Sequence, residues 1–336
     1  MARSVLIDPL FGDRGKAMVD LAVGVGRYRT YAEHERIETD LGRGLPQRYD
    51  SVQNFVRSGG RAARRSEAAS TLTARTSYLR EEYAYGSERY AAGIDAFLHH
   101  PSLIDGARTV HGCDIVEPAI AYANVMLPGQ ELAVHTDVPE FRGLNRKLVP
   151  QWLLVVMHHA GLFDAWRLRI ATGIGWFSDG PGGELSWWPS GADGPAQVHD
   201  GRPDTALVLD TDTVFHGVDT VGGIDQPAPP IEVGSTLTRD RAAAAGEWML
   251  ANADGYEVAR YLWAQLRLSV SWKAYCFSDE AERTAWRIHS DDLSYEAVVD
   301  ELVADMHARG VVEADPCHDR ALGLAMIDTY IRFPST

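Results

Sequence analysis

His135 and Asp137 stand two residues apart in the stretch LAVHTDVPEF. Alternate side chains of a strand share a face, so these two point together and Thr136 points the other way. A polar pair on a buried face costs several kcal/mol unless it is satisfied, and one metal ion would satisfy both groups. A third ligand must come from elsewhere. His216 in DTDTVFHGVDTV is the best candidate, because it lies on a short β-like run that follows the strand-like TALVLD. Two histidines and one carboxylate on one face leave the other metal positions open, a facial triad suited to Fe(II). The alternative is plainer: Asp137 caps a turn ahead of Pro139, and His216 is a core histidine with its ring satisfied.

The bulk composition sets the frame. The 336 residues, 45% apolar, can bury a large core as one large domain or two modest ones. No run approaches the roughly 18 apolar residues of a membrane span. The start, MARSVLIDPLFGDRGK, lacks the apolar core of a signal peptide. The three cysteines (Cys113, Cys276, Cys317) are odd in number and far apart, which reads as reduced thiols in a cytoplasmic protein. With 32 basic against 47 acidic residues the net charge is −15, which argues against nucleic acid as a partner. A small-molecule substrate is expected, with no membrane partner, and the oligomeric state is not legible. Lysine occurs only at Lys16, Lys147 and Lys273, which reads as GC-rich coding. No P-loop, dinucleotide-binding glycine pattern or nucleophile elbow is present. His158 and His159 have no carboxylate at ligand spacing and read as structural or surface residues.

The elements that must position the triad follow from periodicity. Residues 1–114 read as mostly helical, including SEAASTLTARTSYLREEYAYGSERYAAGIDAFLHH, with a break near Gly86. Residues 115–277 read as short strands with turn punctuation: AYANVML, QELAVH, RLRIATGIGWF, GELSWWP, TALVLD, VFHGVDTV and LRLSVSW. Residues 224–262 interrupt this core. They open Gly/Pro-rich, read as ending in a helix, and suggest a mobile cover over the site. Residues 278–336 read as helices, one of them stopping at Gly310. The whole of 1–336 reads as a single domain. Only one of Trp187 and Trp188 can face the inside of a strand pair.

Four segments together resemble the Fe(II)/2-oxoglutarate-dependent oxygenases, the prolyl-hydroxylase-like and small-molecule members among them. YANVMLPGQELAVHTD is similar to the family's Y-x-x-G-x-x-L-x-x-H-x-D, with Met126 at the usual tyrosine position. GPGGELSWWP resembles its G-G-x-L strand, LVLDTDTVFHGVDTV its distal-histidine pair, and RLSVSWKAY its last core strand, R-x-S-x-x-x-W/Y. The resemblance implies an α+β fold with a double-stranded β-helix (jelly-roll, cupin-like) core and helices packed outside. It implies Fe(II) held by His135, Asp137 and His216, with 2-oxoglutarate and O2 as cosubstrates. It implies that Arg267, helped by Ser269, pairs with the distal carboxylate of 2-oxoglutarate, and that Asn124 touches the same molecule. Arg239 and Arg241, in the insertion, are rivals for that anchor. The implied reaction couples oxidative decarboxylation of 2-oxoglutarate to hydroxylation, desaturation or cyclisation of a small molecule, such as an amino acid or a natural-product intermediate. Two other readings remain open at this stage. One is a non-haem iron oxidase or cyclase without 2-oxoglutarate, favoured by the long segment between His216 and Arg267. The other is a non-redox cupin-like binding protein or isomerase.

Overall fold

The computed structural model describes residues 2–30, 39–242 and 246–334. The N-terminal part runs β1 (Ser4–Ile7), α1 (Lys16–Val25), β2 (Arg27–Thr30), α2 (Tyr49–Ser58), α3 (Ala69–Arg75), β3 (Leu79–Tyr85), β4 (Glu88–Arg89), α4 (Asp95–Leu98) and α5 (Pro101–His111). The middle holds β5 (Ile115–Met126), β6 (Leu132–His135), α6 (Gln151–Ala160), β7 (Arg169–Trp176), β8 (Leu185–Trp188), β9 (Gln197–His199), β10 (Thr205–Leu209) and β11 (Phe215–Val218). It continues with β12 (Thr236–Arg239), β13 (Trp248–Ala251), β14 (Glu257–Tyr261) and β15 (Arg267–Phe277). The tail is α7 (Glu280–Ile288), α8 (Tyr295–Ala308) and α9 (Arg320–Tyr330).

The strands form two antiparallel sheets. The large one runs β1-β10-β7-β15-β5-β3-β2-β12-β13-β14, with β4 on β3, and the small one runs β6-β11-β8-β9. Between β5 and β15 the chain passes back and forth between them: β5 large, β6 small, β7 large, β8 and β9 small, β10 large, β11 small, β15 large. Helices cover the outer faces. Leu98 of α4 and Leu103 and Ala107 of α5 pack with Leu268, Val270 and Trp272 on the back of the large sheet. Trp152 to Met157 of α6, Leu302 of α8 and Met326 of α9 pack with Trp188 and Phe215 on the back of the small sheet. A third cluster, including Met126, Ile174, Trp176, Trp187 and Val218, fills the space between the sheets.

β15 shows why this order is stable. Its even positions, Leu268, Val270, Trp272 and Ala274, are buried against the helices, and the Trp272 indole donates to Leu98 O at 2.7 Å. Each of the larger apolar side chains contributes about 1.5–3 kcal/mol by leaving water. That offsets the cost of an inner face made of Arg267, Ser269, Ser271 and Lys273, all buried. The tail helices carry their own signals. Ser294 accepts from Ala297 N at the start of α8, and Gly310 takes φ 72° just past its end.

Two expectations are corrected. LREEYAY is strand β3, not helix. Its period of two is hidden by a bulge between Glu82 and Ala84 in its pairing with β5, which buries Tyr83 and Ala84 in succession. The insertion contains β12, β13 and β14 rather than a helix, residues 243–245 lying outside the described residues. It extends the large sheet from β2, four strands away from β15, instead of covering the interior. Its opening loop is fastened as well. The buried Arg75 takes Glu67 in a bidentate pair at 2.6 and 2.7 Å and donates to Gly129 O and Gln226 O at 2.9 and 3.0 Å. Gly129, at φ 87°, has Pro227 O where a Cβ would stand.

This makes the insertion part of the packed fold. Leu250 on β13 is fully buried, so Leu250→Ala should destabilise the protein by about 2–5 kcal/mol. Thermal melting checks it: a mobile cover would tolerate the change with no loss in melting temperature.

Candidate functional site

The inner face of the small sheet is built by register. His135 pairs with His216, and His216 pairs with Trp187. These three side chains therefore form one row across β6, β11 and β8, and Trp187 belongs to the cluster between the sheets. Trp188 faces the helices instead, as the alternation requires. Asp137 follows β6 and is tied by its backbone N–H to Thr211 O at 2.8 Å.

Each triad member is aimed by a second contact. The Nδ1 of His135 lies 2.6 Å from Ala133 O, and the Nδ1 of His216 lies 3.0 Å from Val214 O. A carbonyl only accepts, so both rings carry a proton on Nδ1 and turn Nε2 toward Asp137. The Nε2 atoms lie 3.4 and 3.7 Å from Asp137 Oδ1, and the ring centroids are 4.3 Å apart. All three ligand atoms lie within 4.8 Å of one another. Ligands about 2.1 Å from a metal and at right angles sit about 3 Å apart, so a small inward movement would close the set. Burial, and next the neighbouring His135, push the His216 pKa down to about 3, which keeps the ring neutral and able to ligate.

The other oxygen of Asp137 is already taken. Oδ2 accepts from Thr211 Oγ1 at 2.7 Å and from Lys273 Nζ at 2.8 Å. Thr211 is itself 2.6 Å from Thr172 Oγ1. Burial alone would raise Asp137, but the Lys273 ammonium, with the two histidines, holds it well below the ordinary carboxylate range. Lys273 is opposed the same way: burial would lower it, and Asp137 and Asp212 raise it instead. Asp212 lies 3.7 Å from Nζ, is fully buried, and is pushed up to about 7 by that burial.

Arg267 begins β15 on the same inner face. Its Nε donates to Gly183 O at 2.7 Å, and its Nη1 to Ser269 Oγ at 3.2 Å. Met126 Sδ is 3.7 Å from Nη1. Nη2 is buried and has no hydrogen-bond partner among the described residues, and Arg267 forms no ion pair among them. Burial lowers its pKa to about 10, against the pull of Glu184, so the guanidinium stays charged. Gly183 is needed beneath it. Its φ is 74°, and a Cβ there would come within 2.5 Å of the Arg267 side chain. Asn124 pairs across from Ser269, its Nδ2 donates to Ser271 Oγ at 3.4 Å, and its Oδ1 is buried without a partner.

The structure thus brings together His135, Asp137 and His216, and separately Arg267, Ser269 and Asn124, on facing surfaces of one interior. Arg239 closes β12, four strands along the large sheet from β15, and Arg241 is exposed beyond it, so neither reaches that interior. His158 and His159 end α6. His159 stacks on Phe215 at 5.3 Å, behind the small sheet. Sequence reasoning missed Lys273, Thr211, Thr172 and Asp212. Lys273 was readable: one more step of the alternation that joins Arg267, Ser269 and Ser271 reaches it. It also stands where the resemblance has tryptophan or tyrosine.

No family model matches the chain, and no curated protein matches it. Solved structures that overlap it include an oxidoreductase of the 2OG-Fe(II) oxygenase family from Burkholderia pseudomallei, at 10% identity and TM-score 0.40 over 82% of this chain and 86% of that one. A prolyl-4-hydroxylase from Pseudomonas putida overlaps at 10% identity and TM-score 0.40, over 82% and 94%. HygX from Streptomyces hygroscopicus, solved with nickel, 2-oxoglutarate and hygromycin B bound, overlaps at 11% identity and TM-score 0.38, over 82% and 83%. At this overlap the likeness adds no weight to the chemistry, which rests on the side-chain geometry.

The tautomers are directly measurable. Nitrogen-15 NMR of the metal-free protein at pH 5 should show His216 neutral with its proton on Nδ1. A protonated ring at that pH would remove the basis for a poised ligand.

Proposed function

We propose that the protein is an Fe(II)/2-oxoglutarate-dependent oxygenase acting on a small molecule. The observation that carries this reading is the pairing of two features across one interior: a convergent His-Asp-His set and a buried guanidinium with no acidic partner among the described residues. A buried charge costs free energy unless it is paired. Arg267 therefore suits a ligand that brings its own carboxylate, and a planar guanidinium meets a carboxylate through two parallel hydrogen bonds. The distal carboxylate of 2-oxoglutarate fits that need, with Ser269 beside it and Asn124 on the neighbouring strand. His135, Asp137 and His216 would hold Fe(II), leaving positions open for the keto-acid end of 2-oxoglutarate and for O2. Bound iron with its cosubstrates supplies the oxidising chemistry, and the chain supplies ligands, orientation and a water-poor wall.

The alternation of strands between the two sheets supports a double-stranded β-helix as the core, with β5–β11 and β15 as its strands. The long segment between His216 and Arg267, which favoured an oxidase without 2-oxoglutarate, is accounted for as β12–β14 on the edge of the large sheet. Hydroxylation is the default outcome, and desaturation or cyclisation stays open to the same site.

Two substitutions separate the two halves of the reading. Asp137→Ala should remove most bound Fe(II), measured by metal analysis after anaerobic loading. Arg267→Met should keep the metal but raise the 2-oxoglutarate requirement well over tenfold, since breaking one side of a buried charge pair costs about 2–5 kcal/mol. Succinate release measures the second. Unchanged 2-oxoglutarate dependence in Arg267→Met, or succinate-free turnover by the unaltered protein, would sink the assignment.

A further inference from the structure

We propose that Lys273 is the built-in counter-cation of Asp137. It holds the carboxylate by Oδ2, so the site stays assembled without metal and Oδ1 alone is offered to a metal ion. This rests on the reading of His135, Asp137 and His216 as metal ligands.

The division of the carboxylate is the first argument. Oδ2 is held from two sides, by Lys273 Nζ at 2.8 Å and Thr211 Oγ1 at 2.7 Å. Oδ1 faces the two Nε2 atoms at 3.4 and 3.7 Å. The two oxygens thus have separate duties: one is anchored to the protein and one is turned to the ligand set. A carboxylate pinned at one oxygen ligates through the other, and single-oxygen ligation leaves more of the metal's positions free for cosubstrates.

Charge is the second argument. Asp137, its side chain 19% exposed, is largely withdrawn from water, and a carboxylate so placed is stabilised in its ionised form by a positive neighbour. The two histidines face the other oxygen, Oδ1, at 3.4 and 3.7 Å. Apart from those histidines, Lys273 is the one cation within ion-pair distance of Asp137 among the described residues. The lysine is largely shut off from solvent. It sits mid-strand on β15, its side chain only 6% exposed, and the other face of the strand is packed against helices. Asp212, at 3.7 Å and without a hydrogen-bond partner on either oxygen, is a second negative group on the same ammonium. Lys273 is therefore anchored from both sides and is a positioning residue: it reaches the metal only through Asp137.

The third argument is what a purely space-filling role would look like. An apolar or aromatic side chain would fill the position between Ile120 and Thr172, its cross-strand neighbours, at no desolvation cost. The chain instead spends one of its three lysines here.

The test compares melting of metal-stripped and Co(II)-saturated protein for the unaltered chain, Lys273→Met and the double variant Asp137→Asn with Lys273→Met. Metal-stripped Lys273→Met should melt about 4–7 °C below the unaltered protein, the shift expected for a stranded buried charge in a chain of this length. Co(II) supplies the missing positive charge, so the loaded variant should return to within about 2 °C of the loaded unaltered protein. The double variant no longer strands Asp137, leaving Asp212 as the one carboxylate deprived of the ammonium, and should recover at least half of the metal-stripped loss. Equal drops with and without Co(II), or a double variant no better than Lys273→Met, would overturn the proposal. If Lys273→Met is recovered only from Co(II)-supplemented cultures, the double variant must still be recoverable without metal, and its absence would count equally against the pair. An unaltered protein that binds no Co(II) would overturn the metal reading instead. The metal-free comparison of the two variants would still judge the ion pair.

Discussion

A carboxylate that must stay ionised while largely withdrawn from water is the constraint around which this interior is arranged. Asp137 meets it through Lys273, and nearly every polar group nearby can be traced to that need. Thr211 shares the same oxygen and is itself backed by Thr172. Asp212 balances the lysine from its other side. The residues DTDT at 210–213 look like a turn in sequence, yet Asp210, Thr211 and Asp212 are all buried, because this network needs them. The apolar outer layers make that possible. Leu268, Val270 and Trp272 behind one sheet, and the α6, α8 and α9 side chains behind the other, contribute the burial that lets charges sit between them.

Much of the core was legible because it obeys period two. The seven strand-like stretches between Ala121 and Trp272 all appear as strands, and Trp187 and Trp188 divide between inside and outside as alternation demands. The convergence of His135, Asp137 and His216 was also readable, since two ligands lay on one face and the third on a following strand. What failed did so for local reasons. The bulge in β3 breaks the alternation at Tyr83, so aromatic and acidic residues mimic a helix period. β9 is three residues long, too short to leave a pattern. The insertion joins the sheet through β12, whose partner β2 lies some two hundred residues earlier and is announced by no local signal.

Lys273 was missed for a different reason. Its rarity was noticed and assigned to composition, when the informative fact was its position on an already recognised face. Arg267 and Lys273 also show that burial of like residues can mean opposite things. Lys273 is fully engaged with acids of the chain. Arg267 has backbone, sulfur and hydroxyl contacts and a spare N–H, but no acid among the described residues. One cation is neutralised within the chain, and the other faces the interior without an acid among the described residues.

β15 carries both cations, and this makes it a ruler. Arg267 and Lys273 occupy the same face, and each step along that face spans two residues, or about 6.6–6.8 Å. Moving either cation by a single residue would turn it toward the helices and exchange it for a neighbour such as Leu268 or Trp272. The separation of Arg267 and Lys273 along that face can therefore change only in whole two-residue increments. A bulge between Lys273 and Ala274 ends the regular count just past the last graduation. A chain that lengthened its ligand by one carbon could not follow with the backbone, and would have to adjust through side-chain length at the two ends.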